Sequence, residues 1–166
     1  MGIRKIIKNK IYENNIRSKY KNYIVEEKLN IDWNSISCNR IALINAAISK
    51  VIKLKNECKY LEIGCDQNET YDSIALSSED KTGVDPAAGG NTRMTSDKFF
   101  ETNKKNYDVV FIDGLHEYKQ CQKDIINALA CLNKGGFIFI HDMIPLDWRA
   151  EFVPRFQNTW NGDVWK

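Results

Sequence analysis

The sequence lacks several features that would settle its class at once. It has no apolar run approaching the roughly 20 residues needed to cross a bilayer, and no apolar N-terminal core followed by small residues. A membrane span and a signal peptide are therefore not predicted. The five cysteines are odd in number and never stand at C-x-x-C spacing, which argues against a zinc site or a disulfide framework. A reducing, cytoplasmic setting is the simplest interpretation.

Charge is small for the whole chain but unevenly distributed. The net charge is +2, yet residues 1–30 hold eight Lys and Arg against three Glu. Apolar residues recur there at helical spacing, at Tyr12, Ile16, Tyr20 and Ile24. We expect a basic helical extension over residues 1–36, either solvated or in contact with an anionic surface, and a separate domain over residues 37–166. The aromatic residues are not interleaved with a basic patch, which argues against a nucleic-acid partner.

Strand-like and helix-like segments alternate from residue 60 to 142. Apolar, β-favouring runs predict strands at 60–64, 81–85, 109–112 and 137–140, and a further short one at 92–95. Helices are predicted at 70–78, from 96 and at 118–132. The alternation predicts an α/β fold, a Rossmann-like doubly wound and mostly parallel sheet of four or five strands with helices on both faces.

Two helices are predicted from apolar stripes. The first is capped by Ser37 and presents Ile41, Ile44, Ile48 and Ile52 on one face. The second presents Tyr118, Cys121, Ile125, Leu129 and Leu132, and stops before a pair of glycines. Both stripes are expected to pack on the sheet.

Chemically active side chains follow the predicted strands. Asp85, Asp113 and the pair His141-Asp142 stand where three of the strands end, and His116 lies just after Asp113. The carboxyl ends of parallel strands open onto the ligand crevice, so we expect these groups at one site. Each histidine also has a structural interpretation: His116 as a helix cap and His141 as a core residue.

The turn after the first strand argues for a particular ligand chemistry. A dinucleotide site would show G-x-G-x-x-G, whereas this turn reads GCDQNE, with one glycine and two acids. Acids repel phosphate and suit a cofactor with a cationic centre and an adenosine, of which S-adenosylmethionine is the common example. A carboxylate such as Asp85 can accept hydrogen bonds from both ribose hydroxyls.

Five segments carry a family resemblance: YLEIGC, GVDP, RMTSDKFF, YDVVFIDGLHEY and GGFIFIHD. In this order they resemble the motifs of class I S-adenosylmethionine-dependent methyltransferases, above all the branch associated with sugar, polysaccharide and natural-product modification. The resemblance covers roughly residues 38–166. It implies that Glu62 and Gly64 lie by the methionine part of the cofactor, that Asp85 holds the ribose, and that Ser96 or Asp97 meets the adenine. The family's usual second glycine in the first motif is Asp66 here.

The resemblance also places Asp113 and Asp142 at the ends of neighbouring strands. Adjacent strands lie about 4.8 Å apart, so the two carboxylates can share a divalent cation such as magnesium. Related metal-dependent O-methyltransferases use acids at these places. One hypothesis is that the metal lowers the pKa of an acceptor hydroxyl and that His116 or His141 removes the proton. The alternative is that Asp113 contacts the cofactor or caps a helix without a metal.

The resemblance therefore implies an enzyme that methylates a hydroxyl of a sugar or another small molecule. The alternative is a catalytically inactive S-adenosylmethionine- or adenosine-binding module that acts in assembly or partner binding. The family's sheet continues into two more strands, which this chain is expected to lack. The strand ending at Ile140 would then be an edge, and a homodimer is one way to cover it.

Overall fold

A computed structural model of the protein describes residues 39–144, which form alternating helices and strands. Their bounds are α1 Arg40–Lys55, β1 Tyr60–Ile63, α2 Glu69–Ser73, β2 Lys81–Val84, α3 Ser96–Thr102, β3 Tyr107–Ile112, α4 Tyr118–Ala130 and β4 Leu132–Ile140. The helix predicted at 70–78 is shorter, because α2 ends at Ser73, and a 3₁₀ turn follows at Ser78–Asp80. None of these helices is both long and apolar enough to cross a bilayer. The predicted N-terminal extension and Ser37 lie outside the described residues.

The four strands form one parallel sheet in the order β2-β1-β3-β4. Val84, Ile63, Ile112 and Ile140 stand level across the sheet. All four strands therefore end at the same edge. The predicted Rossmann-like α/β fold with a parallel sheet is confirmed.

Side chains of β3 alternate between two apolar cores, one on each face of the sheet. Val109 and Phe111 join the core that α1 covers. Val110 and Ile112 join the core that contains residues of α3 and α4. All six residues of β3 are buried, as expected for a central strand with helices on both faces.

The predicted strand at residues 92–95 is wrong. Thr92 forms a single bridge to Val84, and no strand follows. The side chain of Asn91 accepts a hydrogen bond from Gly83 N and donates one to Lys81 O, both at 3.0 Å. An amide thus makes the hydrogen bonds that another strand would make along this edge of β2.

The stripe predicted for α1 is partly wrong. The buried residues are Ile44, Ala47, Ile48 and Val51, whereas Ile52 is exposed. A helix has 3.6 residues per turn, so a strict four-residue row drifts off the buried face. The cap is Asn39, whose side chain accepts from Ala42 N at 3.0 Å.

The stripe predicted for α4 is also partly wrong. Leu129 is exposed, and the buried residues of the helix are Cys121, Asp124 and Ala128. The helix ends at Ala130, because Leu132 already pairs with Tyr107 in the sheet. The register shifts before Val109 meets Phe137, and Gly135 in this segment has a φ of +79°.

Within residues 39–144, β4 has a strand partner on one side alone. Residues 145–166 lie outside the described part. The expected homodimer and the missing final strands stay predictions. Sedimentation measurements test the dimer.

A buried carboxylate lies near the start of β3, at the opposite end of the strand from Asp113. Asp108, which is 2% exposed, accepts hydrogen bonds from Lys55 Nζ at 2.7 Å, Lys59 N at 2.9 Å and Asn133 Nδ2 at 3.0 Å. Burial alone would raise the pKa of Asp108, but these donors outweigh it and hold the pKa below its ordinary value. The ionised side chain therefore ties α1 and β4 to β3.

We expect Asp108→Ala to lower the free energy of unfolding by about 2 kcal/mol at pH 7, because three donors lose the buried carboxylate that accepts their hydrogen bonds. Lys55 can turn to water, which keeps the loss below that of a fully buried ion pair. The difference from wild type should be complete above the ordinary pKa of about 3.9 and fall as the pH drops through the lower folded pKa. Urea unfolding at several pH values measures it.

The matched control is Glu101→Ala, which removes an exposed ion pair with Lys98. Such pairs contribute less than about 1 kcal/mol. Equal effects of the two substitutions would contradict the role given to Asp108.

Candidate functional site

A cavity of about 1180 Å³ opens at the carboxyl ends of the strands. Its wall contains every residue that the sequence nominated for the site: Glu62, Gly64, Asp85, Ser96, Asp97, Asp113, His116, His141 and Asp142. The ladder of the sheet extends one residue beyond the strands, where Asp113 N donates to Ile63 O and His141 N donates to Ile112 O. The starts of two of the loops are thus fixed by the sheet itself.

The charges around the cavity are mostly negative. Eight acids line it: Glu62, Asp66, Glu69, Asp85, Asp97, Asp113, Asp124 and Asp142. Among residues 39–144, Arg40 is the one Lys or Arg in the wall. Such a surface attracts a cationic ligand and disfavours a phosphate.

The turn after β1 depends on glycine at one position. Gly64 has a φ of +85°, and a Cβ atom there would overlap the carbonyl oxygen of Asp113. Asp66, which stands where the related motif has its second glycine, has a φ of +41°. The backbone therefore keeps the left-handed conformation at Asp66, although aspartate adopts it at some cost.

Asp85 organises two loops. Its Oδ2 accepts from Cys65 N at 3.0 Å and Asp66 N at 3.1 Å, and its Oδ1 accepts from Ala87 N and Ala88 N, both at 2.8 Å. Burial opposes ionisation, but the four N–H groups outweigh it and lower the pKa of Asp85. The predicted ribose contact stays a prediction, and ribose hydroxyls would share these oxygens with the backbone.

Glu62 is an acid in a buried position, with 1% of its surface exposed. Tyr60 Oη donates a 2.6 Å hydrogen bond to Oε2, and no residue in the described range donates to Oε1. Burial raises the pKa of Glu62 to about 7, against the opposing effect of the Tyr60 hydrogen bond. A buried acid with one carboxyl oxygen left without a donor from residues 39–144 is suited to bind a cationic group of a ligand.

Asp113 lies between the two histidines. Its Oδ1 accepts from His141 Nδ1 at 3.1 Å and lies 3.4 Å from His116 Nε2. Asp142 is also close, 3.4 Å from His141 Nδ1 and 3.8 Å from His116 Nε2. Burial would raise the pKa of Asp113, but the imidazoles outweigh it and lower the pKa. The hydrogen bond to Asp113 in turn raises the pKa of His141.

Within residues 39–144, no group of three or more His, Cys, Asp or Glu side chains is arranged to hold a metal ion. The part of the chain that the structure describes therefore gives the magnesium hypothesis for Asp113 and Asp142 no support. His116 and His141 both line the cavity, so the interpretations as a helix cap and a core residue do not account for their positions.

Ser96 and Asp97 lie at the start of α3, opposite α4. Gln120 Nε2 donates to Asp97 Oδ1 at 3.0 Å and to Asp124 Oδ1 at 3.2 Å. Burial raises the pKa of Asp124, and the hydrogen bonds from Ser96 and Gln120 oppose this rise. The side of the cavity nominated for adenine is therefore supported by α4.

Sequence reasoning missed Arg40, Gln120 and Asp124. An acid within the apolar spacing of α4 was a usable signal for Asp124, because a charged residue on a buried helix face needs partners. Arg40 has no local signal, since nothing in the sequence near it shows that α1 begins at the cavity.

The described residues form a Rossmann-like domain with a cavity at the carboxyl ends of its parallel strands. Residues 47–143 match a protein family described as "Methyltransferase domain". This match covers more than half of the chain, and the chain belongs to this methyltransferase family. No curated protein matches the sequence. The predicted methyltransferase family is confirmed, whereas class I, the dependence on S-adenosylmethionine and the sugar and natural-product branch stay predictions.

We expect Glu62→Gln to stabilise the protein at pH 8. The raised pKa means that the folded state prefers protonated Glu62. The associated stability is complete below the ordinary pKa of about 4.5 and is lost as the pH rises through about 7. That rise in pKa corresponds to a cost of about 3 kcal/mol for ionisation in the folded state. Glutamine keeps the acceptor for Tyr60 without the charge.

Urea unfolding should show a gain of about 1–3 kcal/mol for Glu62→Gln at pH 8 and almost none at pH 4. Glu101→Gln, at an exposed position, should show no such pH dependence. A gain that is the same at both pH values would contradict the burial of a titrating acid.

Proposed function

We propose that this protein transfers the methyl group of S-adenosylmethionine to a hydroxyl of a sugar or another small molecule. The observation that carries the proposal is the acid-lined cavity at the carboxyl ends of four parallel strands in a methyltransferase domain. A positively charged sulfonium is favoured in such a cavity, and the phosphates of a nicotinamide cofactor are not.

The residues present fit this cofactor. Glu62 offers a buried carboxyl oxygen to the ammonium of the methionine part, and the loops around Asp85 lie by the proposed ribose position. Ser96 and Asp97 would meet the adenine. The volume of about 1180 Å³ exceeds the upper range of about 1000 Å³ for typical single-ligand pockets, which leaves space for an acceptor.

When bound, S-adenosylmethionine supplies a methyl group on a positively charged sulfur, and S-adenosylhomocysteine leaves as the acceptor oxygen bonds to that methyl carbon. The protein's main work is to hold the acceptor in line with the carbon–sulfur bond. The carboxylates of the cavity wall would stabilise the positive charge on the sulfur.

His141 is the proposed base that takes the hydroxyl proton. Its Nδ1 donates to Asp113, so its Nε2 carries the free lone pair. The side chain of His141 is 32% exposed, against 11% for His116. Asp113 holds the ring of His141, and His116 Nε2 lies 3.4 Å from the same oxygen of Asp113. Asp142 completes this cluster, and a magnesium ion is not part of the proposed step.

Calorimetric titration with S-adenosylmethionine and S-adenosylhomocysteine tests the cofactor, and methyl transfer to sugar-nucleotide and phenolic acceptors tests the reaction. Absence of binding at millimolar concentration would overturn the proposal. Tight binding with no turnover on any acceptor would favour the inactive binding module. A loss of activity in chelator that magnesium restores would bring back the metal hypothesis.

We expect His141→Gln to lower kcat at least about 100-fold, the usual effect of removing a general base. In wild type, kcat should rise with pH through a pKa above the ordinary value of about 6.5, because Asp113 stabilises the protonated ring and the neutral ring is active. Asp113→Asn should move this limb to lower pH. The pH dependence of kcat measures both effects.

His116→Gln is the matched comparison, because this ring also contacts Asp113. It should lower kcat less and leave a pH limb that belongs to His141. If His116→Gln abolished the limb and His141→Gln kept it, the two roles would be exchanged.

A further inference from the structure

Within the described range, Arg40 is the one permanently charged cation in the wall of the cavity, which also contains eight acids and two histidines. Its Nε donates to Thr70 Oγ1 at 2.9 Å, and its Nη2 donates to Glu69 Oε2 at 2.8 Å. Nη1 makes no hydrogen bond to any residue from 39 to 144. A guanidinium has five N–H groups, so three remain for a ligand.

The position of the guanidinium is fixed from two sides. Arg40 is the first residue of α1, which packs on the sheet through Ile44 and Ile48. Thr70, at the start of α2, is buried and orients Nε. The Glu69 side chain is mostly exposed, so this ion pair adds little stability. An arginine that is well oriented but adds little to the stability of the fold is suited to bind a ligand.

The charge of Arg40 is felt at two sides of the cavity. Burial raises the pKa of Glu62 and the Asp113 hydrogen bond raises that of His141, and the positive charge of Arg40 opposes both rises. Arg40, Glu62 and His141 all line the same cavity. The hydrogen bond to Thr70 holds the Arg40 guanidinium at the first turn of α2, which follows β1 in the chain, so Arg40 lies on the side where the methionine part of the cofactor is proposed to lie.

The methionine part is a zwitterion, with an ammonium group and a carboxylate on one carbon atom. An unpaired carboxylate among eight acids would be strongly repelled, and within residues 39–144 the wall offers it one arginine and no lysine. Resting on the proposed function, we propose that Arg40 binds the carboxylate of the methionine part while Glu62 receives the ammonium group. The two residues together would recognise the α-amino-acid end, and a planar guanidinium matches a carboxylate with two parallel hydrogen bonds.

The test compares two ligands that differ in the carboxylate alone: S-adenosylhomocysteine and its decarboxylated amine. Calorimetry on the full chain should show that wild type binds S-adenosylhomocysteine about 10- to 100-fold more tightly, as expected for charge-assisted hydrogen bonds. Arg40→Gln should weaken S-adenosylhomocysteine by about the same factor and leave the decarboxylated amine nearly unchanged. Arg40→Lys should recover part of the loss, because it restores charge without the planar fork.

Lys53→Gln is the charge-matched control. It removes one positive charge from an exposed position near the other end of α1, about 20 Å along the helix from Arg40. Neither ligand should change affinity by more than about twofold. A similar loss in Lys53→Gln and Arg40→Gln would reduce the effect to long-range charge and overturn the proposal.

Three other results would overturn it as well. Equal weakening of both ligands by Arg40→Gln would mean that Arg40 maintains the cavity without reading the carboxylate. Unchanged binding of S-adenosylhomocysteine, with a raised KM for an anionic acceptor, would assign Arg40 to the acceptor. If wild type binds neither ligand at millimolar concentration, the proposed function itself fails, a result distinct from the loss of selectivity.

Discussion

The register of β3 with its neighbours is the constraint on which the site depends. Ile112 stands level with Ile63 on one side and Ile140 on the other, and the next residues in these strands are Asp113, Gly64 and His141. Slipping a strand by one residue would turn each side chain to the opposite face of the sheet. Because β3 packs into apolar cores on both faces, its register is held by the fit of each side chain in its own core and by the hydrogen bonds of Asp108 at the start of the strand. These contacts in turn position the polar groups at the other end of the strand.

This arrangement concentrates acids in a place that is poor for them. Four backbone N–H groups compensate Asp85, and two imidazoles compensate Asp113, whereas Glu62 has one hydroxyl and a free oxygen. The least compensated acid is thus the one proposed to meet a ligand cation. A site that is unfavourable when empty gains more from an opposite charge than a site already satisfied by the protein.

The sequence predicted the strands well because buried parallel strands are short apolar runs that end abruptly, as Val109–Ile112 does before Asp113. It also placed the acids and histidines at one edge, since parallel strands share their carboxyl ends. The strand predicted at 92–95 is absent, and the side chain of Asn91 makes hydrogen bonds along the edge of β2 in its place. Asn91 lies in a loop, and no periodic pattern in the sequence predicts the conformation of that loop. Arg40 and Gln120 were missed because their proximity to the cavity is set by tertiary packing of helices.

Charged residues from the first and the last element of the described chain lie in the same cavity. Arg40 opens α1 and His141 follows β4, so the first and last elements meet at the cavity through the sheet between them. A cation at this junction limits how far the surrounding acids raise the pKa of His141. The proposed ligand would bring a carboxylate to Arg40 together with an ammonium group and a sulfonium, so the pKa of His141 in the complex depends on which of these charges lies nearest to its ring.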